Sequence, residues 1–117
     1  MKNESPTRLR RPRAGKSPTR PLTRLKAERV QNALRKLPGW RMPRSGAAIT
    51  RAFQFRSAET PVLFAALVGA LAREGGHHPP SLTVHGREVV CRLASAKAGG
   101  VTRGDIRLAR RISLLEQ

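Results

Sequence analysis

Apolar side chains recur at Ala27, Val30, Ala33, Leu34 and Leu37, the three-and-four spacing that lines one face of a helix. Thr23 stands where an N-cap is wanted, and Pro38-Gly39 ends the run near Leu37. Trp40 to Pro43 reads as a short extended segment and Arg44-Ser45-Gly46 as a turn. Ile49, Arg51, Phe53 and Phe55 then alternate with Thr50, Ala52 and Gln54, the period of two that marks a strand. Arg51 interrupts the apolar face and is expected near the strand's solvated end. A second helix opens at Ser57 or Thr60, with Pro61 in its first turn. It is predicted to bury Phe64, Leu67, Val68 and Leu71 and to stop at Gly75-Gly76.

Ser81 to His85 and Glu88 to Ser95 form two further strands around a Gly86-Arg87 turn. Val89, Cys91 and Leu93 share one face, so Cys91 is expected to be a small core residue. After the Ala98-Gly99-Gly100 loop, Thr102 with Asp105 three residues on has the spacing of a capping box. The helix it opens presents Leu108, Ala109, Ile112 and Leu115 inward. The order is helix, two strands, helix, two strands, helix. Short turns between neighbouring strands imply an α+β fold with a four-stranded antiparallel sheet and three helices on one face. Its open edge invites pairing with a second copy.

Length and charge then narrow the class. The 117 residues suffice for one core and not two. Residues 1–21 hold seven Lys/Arg, one Glu and four prolines, a composition that cannot bury enough surface to order itself. They are expected to form a basic, disordered tail ahead of a folded domain at 22–117. Ser5-Pro6-Thr7-Arg8 returns there as Ser17-Pro18-Thr19-Arg20, a repeat that fits two weak binding modules or a plain solubilising tail. The whole chain carries 24 Lys+Arg against 7 Asp+Glu, a net charge of +17, which points to a polyanionic partner. With no Tyr and only four aromatic residues in all, stacking on nucleic acid is poorly served, so such binding is expected to be non-specific. One cysteine cannot form an internal disulfide and suits a reducing compartment. The longest uncharged apolar run, Pro61 to Ala72, is too short to span a bilayer, and no secretory signal is expected.

Leu37-Pro38-Gly39-Trp40, Phe53-Gln54-Phe55, His77-His78-Pro79 and Gly99-Gly100-Val101-Thr102 with Asp105 together resemble the pterin-4a-carbinolamine dehydratases, over about Leu22 to Ile112. The resemblance implies a homodimer or tetramer and a pocket that removes water from a 4a-hydroxytetrahydropterin. That elimination needs a base for a ring-nitrogen proton and an acid for the departing hydroxide, work suited to imidazole. The family's adjacent histidine pair is matched by His77 and His78. Its third histidine is not: the corresponding step reads Ser95-Ala96. Arg73 replaces a residue usually acidic, Lys97 one commonly Asp, and the aromatic after His-His-Pro is absent. His85 stands nearby as a substitute imidazole. Trp40, Pro79 and His85 are the expected remnants of the pterin pocket. His77, His78, His85 and Cys91 fit no zinc spacing, so no metal and no cofactor is expected.

With the acid–base set incomplete, the resemblance extends to a divergent branch of the family, the pterin-dehydratase-like proteins of α-carboxysomes. That branch implies a RuBisCO assembly factor in the bacterial cytoplasm, associated with carboxysomes. Its partner would be the acidic RuBisCO large subunit or holoenzyme, with Arg8, Arg10, Arg11, Arg13, Lys16 and Arg20 steering encounter. Two alternatives stand beside it: a working pterin dehydratase using His77 and His78, and a coactivator-like or nucleic-acid-binding dimer.

Overall fold

The computed structural model describes residues 23–77 and 79–116, so the basic tail and His78 lie outside the described residues. Helix α1 (Ala27–Leu34), strand β1 (Ile49–Gln54), helix α2 (Thr60–Glu74), strands β2 (Ser81–His85) and β3 (Glu88–Leu93) and helix α3 (Arg103–Leu115) follow in order. The fold is α+β. Both strand pairings are antiparallel, in the order β1-β3-β2.

The sheet has three strands among the described residues, not the expected four. Arg41 forms a single bridge to Thr50, with both backbone N–H···O bonds at 2.8 Å. Pro43 offers no N–H to extend the ladder, and Gly46 N–H already closes a turn onto the Pro43 carbonyl at 2.9 Å. The start of α1 also differs from the expectation. Leu25 N–H donates to the Val101 carbonyl at 2.8 Å, which commits residues 23–26 to an extended path, and Lys26 rather than Thr23 takes the N-cap position.

The register sorts the sheet into two faces. Ile49 and Phe53 of β1, Val89, Cys91 and Leu93 of β3, and Leu82 of β2 share the inner side, where α2 and α3 pack. Buried Val68 and Ala72 of α2 and Leu108, Ala109 and Ile112 of α3 complete the core. Trp40 meets Phe53 edge-on at 6.2 Å between centroids and donates its indole N–H to Ser113 Oγ at 2.9 Å. Its place as a core anchor is thereby fixed from both its apolar and its polar end. Cys91 is fully buried and burial pushes its thiol up to about 12, which makes it an inert packing group.

Three expected positions come out differently, one of them Leu115 at the end of α3, which is exposed rather than inward. Leu67 is 56% exposed rather than buried, because α2 turns Pro61, Phe64, Val68 and Ala72 inward. That leaves Val62, Leu63 and Leu67 as an exposed apolar face. Arg51 is not at a solvated strand end. It sits mid-strand on the inner face, its guanidinium 4.3 Å from the Phe53 ring centroid and paired with Glu116 of the C-terminal segment. A cation on an aromatic face with a carboxylate beyond it substitutes for an apolar side chain there.

Gly39 makes room for that arrangement. Its φ is +87°, and a Cβ there would meet Arg51 Nε at 2.8 Å. Gly39→Ala combines left-handed strain with displacement of Arg51 and is expected to cost about 1–3 kcal/mol. Urea denaturation checks this, and unchanged stability would refute the packing role of Arg51.

Candidate functional site

The C-terminal end of α2 delivers His77. Gly75 N–H closes onto the Leu71 carbonyl at 3.1 Å, and His77 N–H returns to the Ala72 carbonyl at 2.9 Å. The imidazole lies in a cradle of two glycines. A Cβ on Gly75 would stand 2.7 Å from His77 Cδ2 and 2.9 Å from Nε2, while one on Gly104 would stand 3.4 Å from Nδ1. A side chain at position 75 would therefore have to displace the ring, while one at position 104 would make ordinary contact with it.

Below this ring, the first turn of α3 is held by a buried polar cluster. Asp105 Oδ2 accepts the Thr102 N–H at 2.9 Å, the Ser95 hydroxyl at 3.0 Å and the Thr102 hydroxyl at 3.2 Å. The Thr102–Asp105 pair is the capping box expected from the spacing. Ser95 adds a reach from the far side of the Gly99-Gly100 loop, and its N–H also bonds the Gly100 carbonyl at 2.9 Å. The network thus fastens the exit of β3 to the entrance of α3. His77, beside Gly104, and Ser95, bonded to Asp105, meet at this same helix turn.

The surroundings of His77 disfavour a positive imidazole. Partial burial lowers its pKa from 6.5, and the Arg107 guanidinium lowers it further. Asp105 opposes the shift, and Arg111 adds to it. His77 is therefore neutral at neutral pH, able to accept a proton but poor at holding one as an acid.

The remaining sequence-predicted positions are spread out. Ala96 opens an exposed 3₁₀ turn at Ala96–Ala98 and brings only a methyl group; Lys97 is exposed beside it. His85 lies on the outer face of β2 with Ser81 and Thr83, opposite Glu88 of β3 and across the sheet from Leu82. His85 therefore stands on the face of the sheet opposite Leu82 and the core helices. Trp40 is 4% exposed and committed to Ser113, and Pro79 is exposed. Arg73 is exposed in the last turn of α2. Among the described residues no group of three or more His, Cys, Asp or Glu is placed to hold a metal ion, and no helix is long and apolar enough to cross a membrane. Sequence reasoning missed the Gly75–Gly104 cradle, although one glycine stands two residues before His77 and the other in the first turn of the last helix.

The family model for pterin 4 alpha carbinolamine dehydratase matches residues 23–115. A Nitrobacter winogradskyi protein named "Putative pterin-4-alpha-carbinolamine dehydratase" is 43% identical over 86 residues, covering 74% of this chain and 84% of its own. A protein of the same name from Thermomicrobium roseum is 34% identical over 94 residues, covering 80% of this chain and 98% of its own. Among solved structures, a transcriptional coactivator/pterin dehydratase from Brucella melitensis superposes with a TM-score of 0.75 at 33% identity, over 81% of this chain and 100% of that one. A pterin dehydratase-like protein, identified as a RuBisCO assembly factor in the alpha-carboxysome, superposes with a TM-score of 0.54 at 25% identity, over 66% of this chain and 88% of that one.

The depressed pKa of His77 has a definite sign in stability. The fold favours the neutral ring, so its contribution is complete above 6.5, the ordinary value, and is lost as pH falls through the lower folded midpoint. An NMR pH titration is expected to place the His77 midpoint below 6.5. Arg107→Gln should raise that midpoint by removing a nearby like charge. A midpoint that ignores Arg107→Gln would contradict the assignment of Arg107 as a cause of the shift.

Proposed function

The chain belongs to the pterin-4a-carbinolamine dehydratase family, and on that footing we propose that it acts by gripping a partner rather than by turning over a pterin. It is a non-catalytic or weakly active pterin dehydratase-like protein that serves as an assembly factor for RuBisCO. The carrying observation is that the protonated form of the His77 imidazole is disfavoured, that the step matching the family's third histidine reads Ser95-Ala96, and that His85 lies on the outer face of the sheet. An elimination that must both take and give a proton is badly served by an imidazole whose protonated form is disfavoured. Loss of one acid–base partner costs ~10²–10⁴-fold in rate.

The likeness to an assembly factor of the alpha-carboxysome supports the identity of the client, and the charge supports the mode of approach. A protein of net charge +17 is drawn to acidic oligomers at rates that fall with salt. In this reading Arg8, Arg10, Arg11, Arg13, Lys16 and Arg20 of the basic tail steer the encounter. The domain works as a homodimer or tetramer, for which the exposed apolar face of α2 at Val62, Leu63 and Leu67 gives a physical reason. It docks on partly assembled large subunits in the cytoplasm, in association with carboxysomes, and leaves as the holoenzyme is completed.

A second reading, a working dehydratase that uses His77 and His78, is favoured by the names of relatives up to 48% identical. The two readings separate in a pair of measurements. Coexpression with RuBisCO large and small subunits is expected to raise the yield of assembled holoenzyme several-fold, with co-purification at low salt. Unchanged yield without co-purification overturns the assembly role. A 4a-hydroxytetrahydropterin assay is expected to show turnover ~10²–10⁴-fold below that of a relative with three pocket histidines. Ordinary family rates, abolished by His78→Ala, would establish the dehydratase instead.

A further inference from the structure

Away from the His77 corner, α1 and α3 enclose an open groove of about 580 Å³. Leu25, Ala33 and Ile106 give it an apolar floor, and Asn32 sits among them. Its walls are cationic: Arg29 comes from α1, and Arg103, Arg107 and Arg110 come from α3. Positions 103, 107 and 110 follow the four-then-three spacing that stacks side chains on one helix face.

No carboxylate lines this groove. Among the described residues the ion pairs are Arg51–Glu116 and Arg111–Glu74, so none of the four groove arginines is used in one. Four guanidiniums held around one apolar strip repel each other, and an anion placed between them relieves that repulsion while gaining charge-assisted hydrogen bonds. Arginine suits the task through its planar fork, which takes a carboxylate on two bonds at once.

We propose that the α1–α3 groove binds an acidic, amphipathic segment of a partner protein. Its carboxylates engage Arg29, Arg103, Arg107 and Arg110, and an aliphatic side chain rests on Leu25, Ala33 and Ile106. Three features select this occupant. The apolar floor matches an aliphatic side chain and gives a phosphodiester backbone nothing to hold. The groove lacks an aromatic side chain on which a base could stack. Its open form suits a segment that continues past both ends, as in helix-in-groove recognition. The inference goes beyond the RuBisCO reading, because it holds for an acidic protein partner of any identity.

The test uses the full chain and a fluorescein-labelled peptide of roughly twelve residues repeating Glu-Glu-Leu, followed by anisotropy at about 0.15 M salt. Saturable binding is expected. Arg107 also acts on His77, so the decisive variant is the double change Arg103→Glu with Arg110→Glu, which should weaken binding about tenfold or more. Arg56→Glu with Arg92→Glu makes the same charge change at exposed positions outside the groove and should leave affinity within about threefold. Replacing the peptide leucines by serine should weaken binding as well. If the Glu variant loses its circular-dichroism signal, Arg103→Gln with Arg110→Gln takes its place. Equal weakening by groove and control variants would reduce the effect to net charge and overturn the proposal. So would the absence of saturation, or tighter binding of a labelled oligouridylate that the groove variant abolishes. The peptide result is independent of RuBisCO, so failure here leaves the coexpression result standing, and the reverse.

Discussion

The Asp105 carboxylate is the fixed point of this molecule. It is 6% exposed, and an ionised carboxylate so placed is costly unless its oxygens are satisfied. Two hydroxyls and a backbone N–H, from Ser95 and Thr102, meet one of those oxygens. The bonds cross the Gly99-Gly100 loop, so they fix where α3 begins relative to the end of β3. The candidate site and the arginine groove are both positioned from that turn. Gly104, the next residue along the helix from Arg103, supports the His77 ring, and Arg103, Arg107 and Arg110 run outward from the same start toward α1. Removing the carboxylate would leave hydroxyl donors unsatisfied and α3 without its register.

Charge is distributed by a simple rule around this point. The acidic group is buried and answered by neutral dipoles, while the cations stay outside, largely unanswered. Arg51 is the exception. It enters the inner face of the sheet, and there it needs an aromatic face, a carboxylate and a glycine that yields space. Those requirements show how demanding an inward arginine is, and why the others remain at the surface. A chain that keeps its excess positive charge exposed accepts some self-repulsion in exchange for long-range attraction to anions.

Much of this was legible in the sequence because it is local. The capping box at Thr102 and Asp105, the end of α2 at Gly75-Gly76, and the inward line of Val89, Cys91 and Leu93 all follow from spacing within one element. Residues whose roles are set by distant neighbours were misplaced or missed. Arg51 reads as a polar break until Glu116 and Gly39 are seen around it. Leu67 reads as buried because α2 is apolar on nearly every side, and periodicity cannot then choose a face. The segment at Trp40–Pro43 has the composition of a strand, yet Pro43 limits it to one bridge. The arginine groove was invisible for the same reason: Arg29 and the three arginines of α3 are remote in sequence, and only the packing of α1 beside α3 brings them together.

Arg107 links the two surfaces that matter. It lines the groove, and it is also the largest charge acting against protonation of His77. A groove that concentrates guanidiniums therefore weakens the imidazole as an acid, since each added cation makes the imidazolium harder to form. An enzyme that needed His77 to donate a proton would gain from an acidic residue in this neighbourhood. Here Asp105 supplies one, yet burial and the Arg107 and Arg111 guanidiniums outweigh it and lower the His77 pKa on balance. The two demands oppose each other at Arg107: a guanidinium that belongs to the cationic groove is also, after burial, the main charge disfavouring a protonated His77. The same charge ties the surfaces to each other, because a carboxylate bound beside Arg107 would offset part of it and return His77 toward its ordinary pKa.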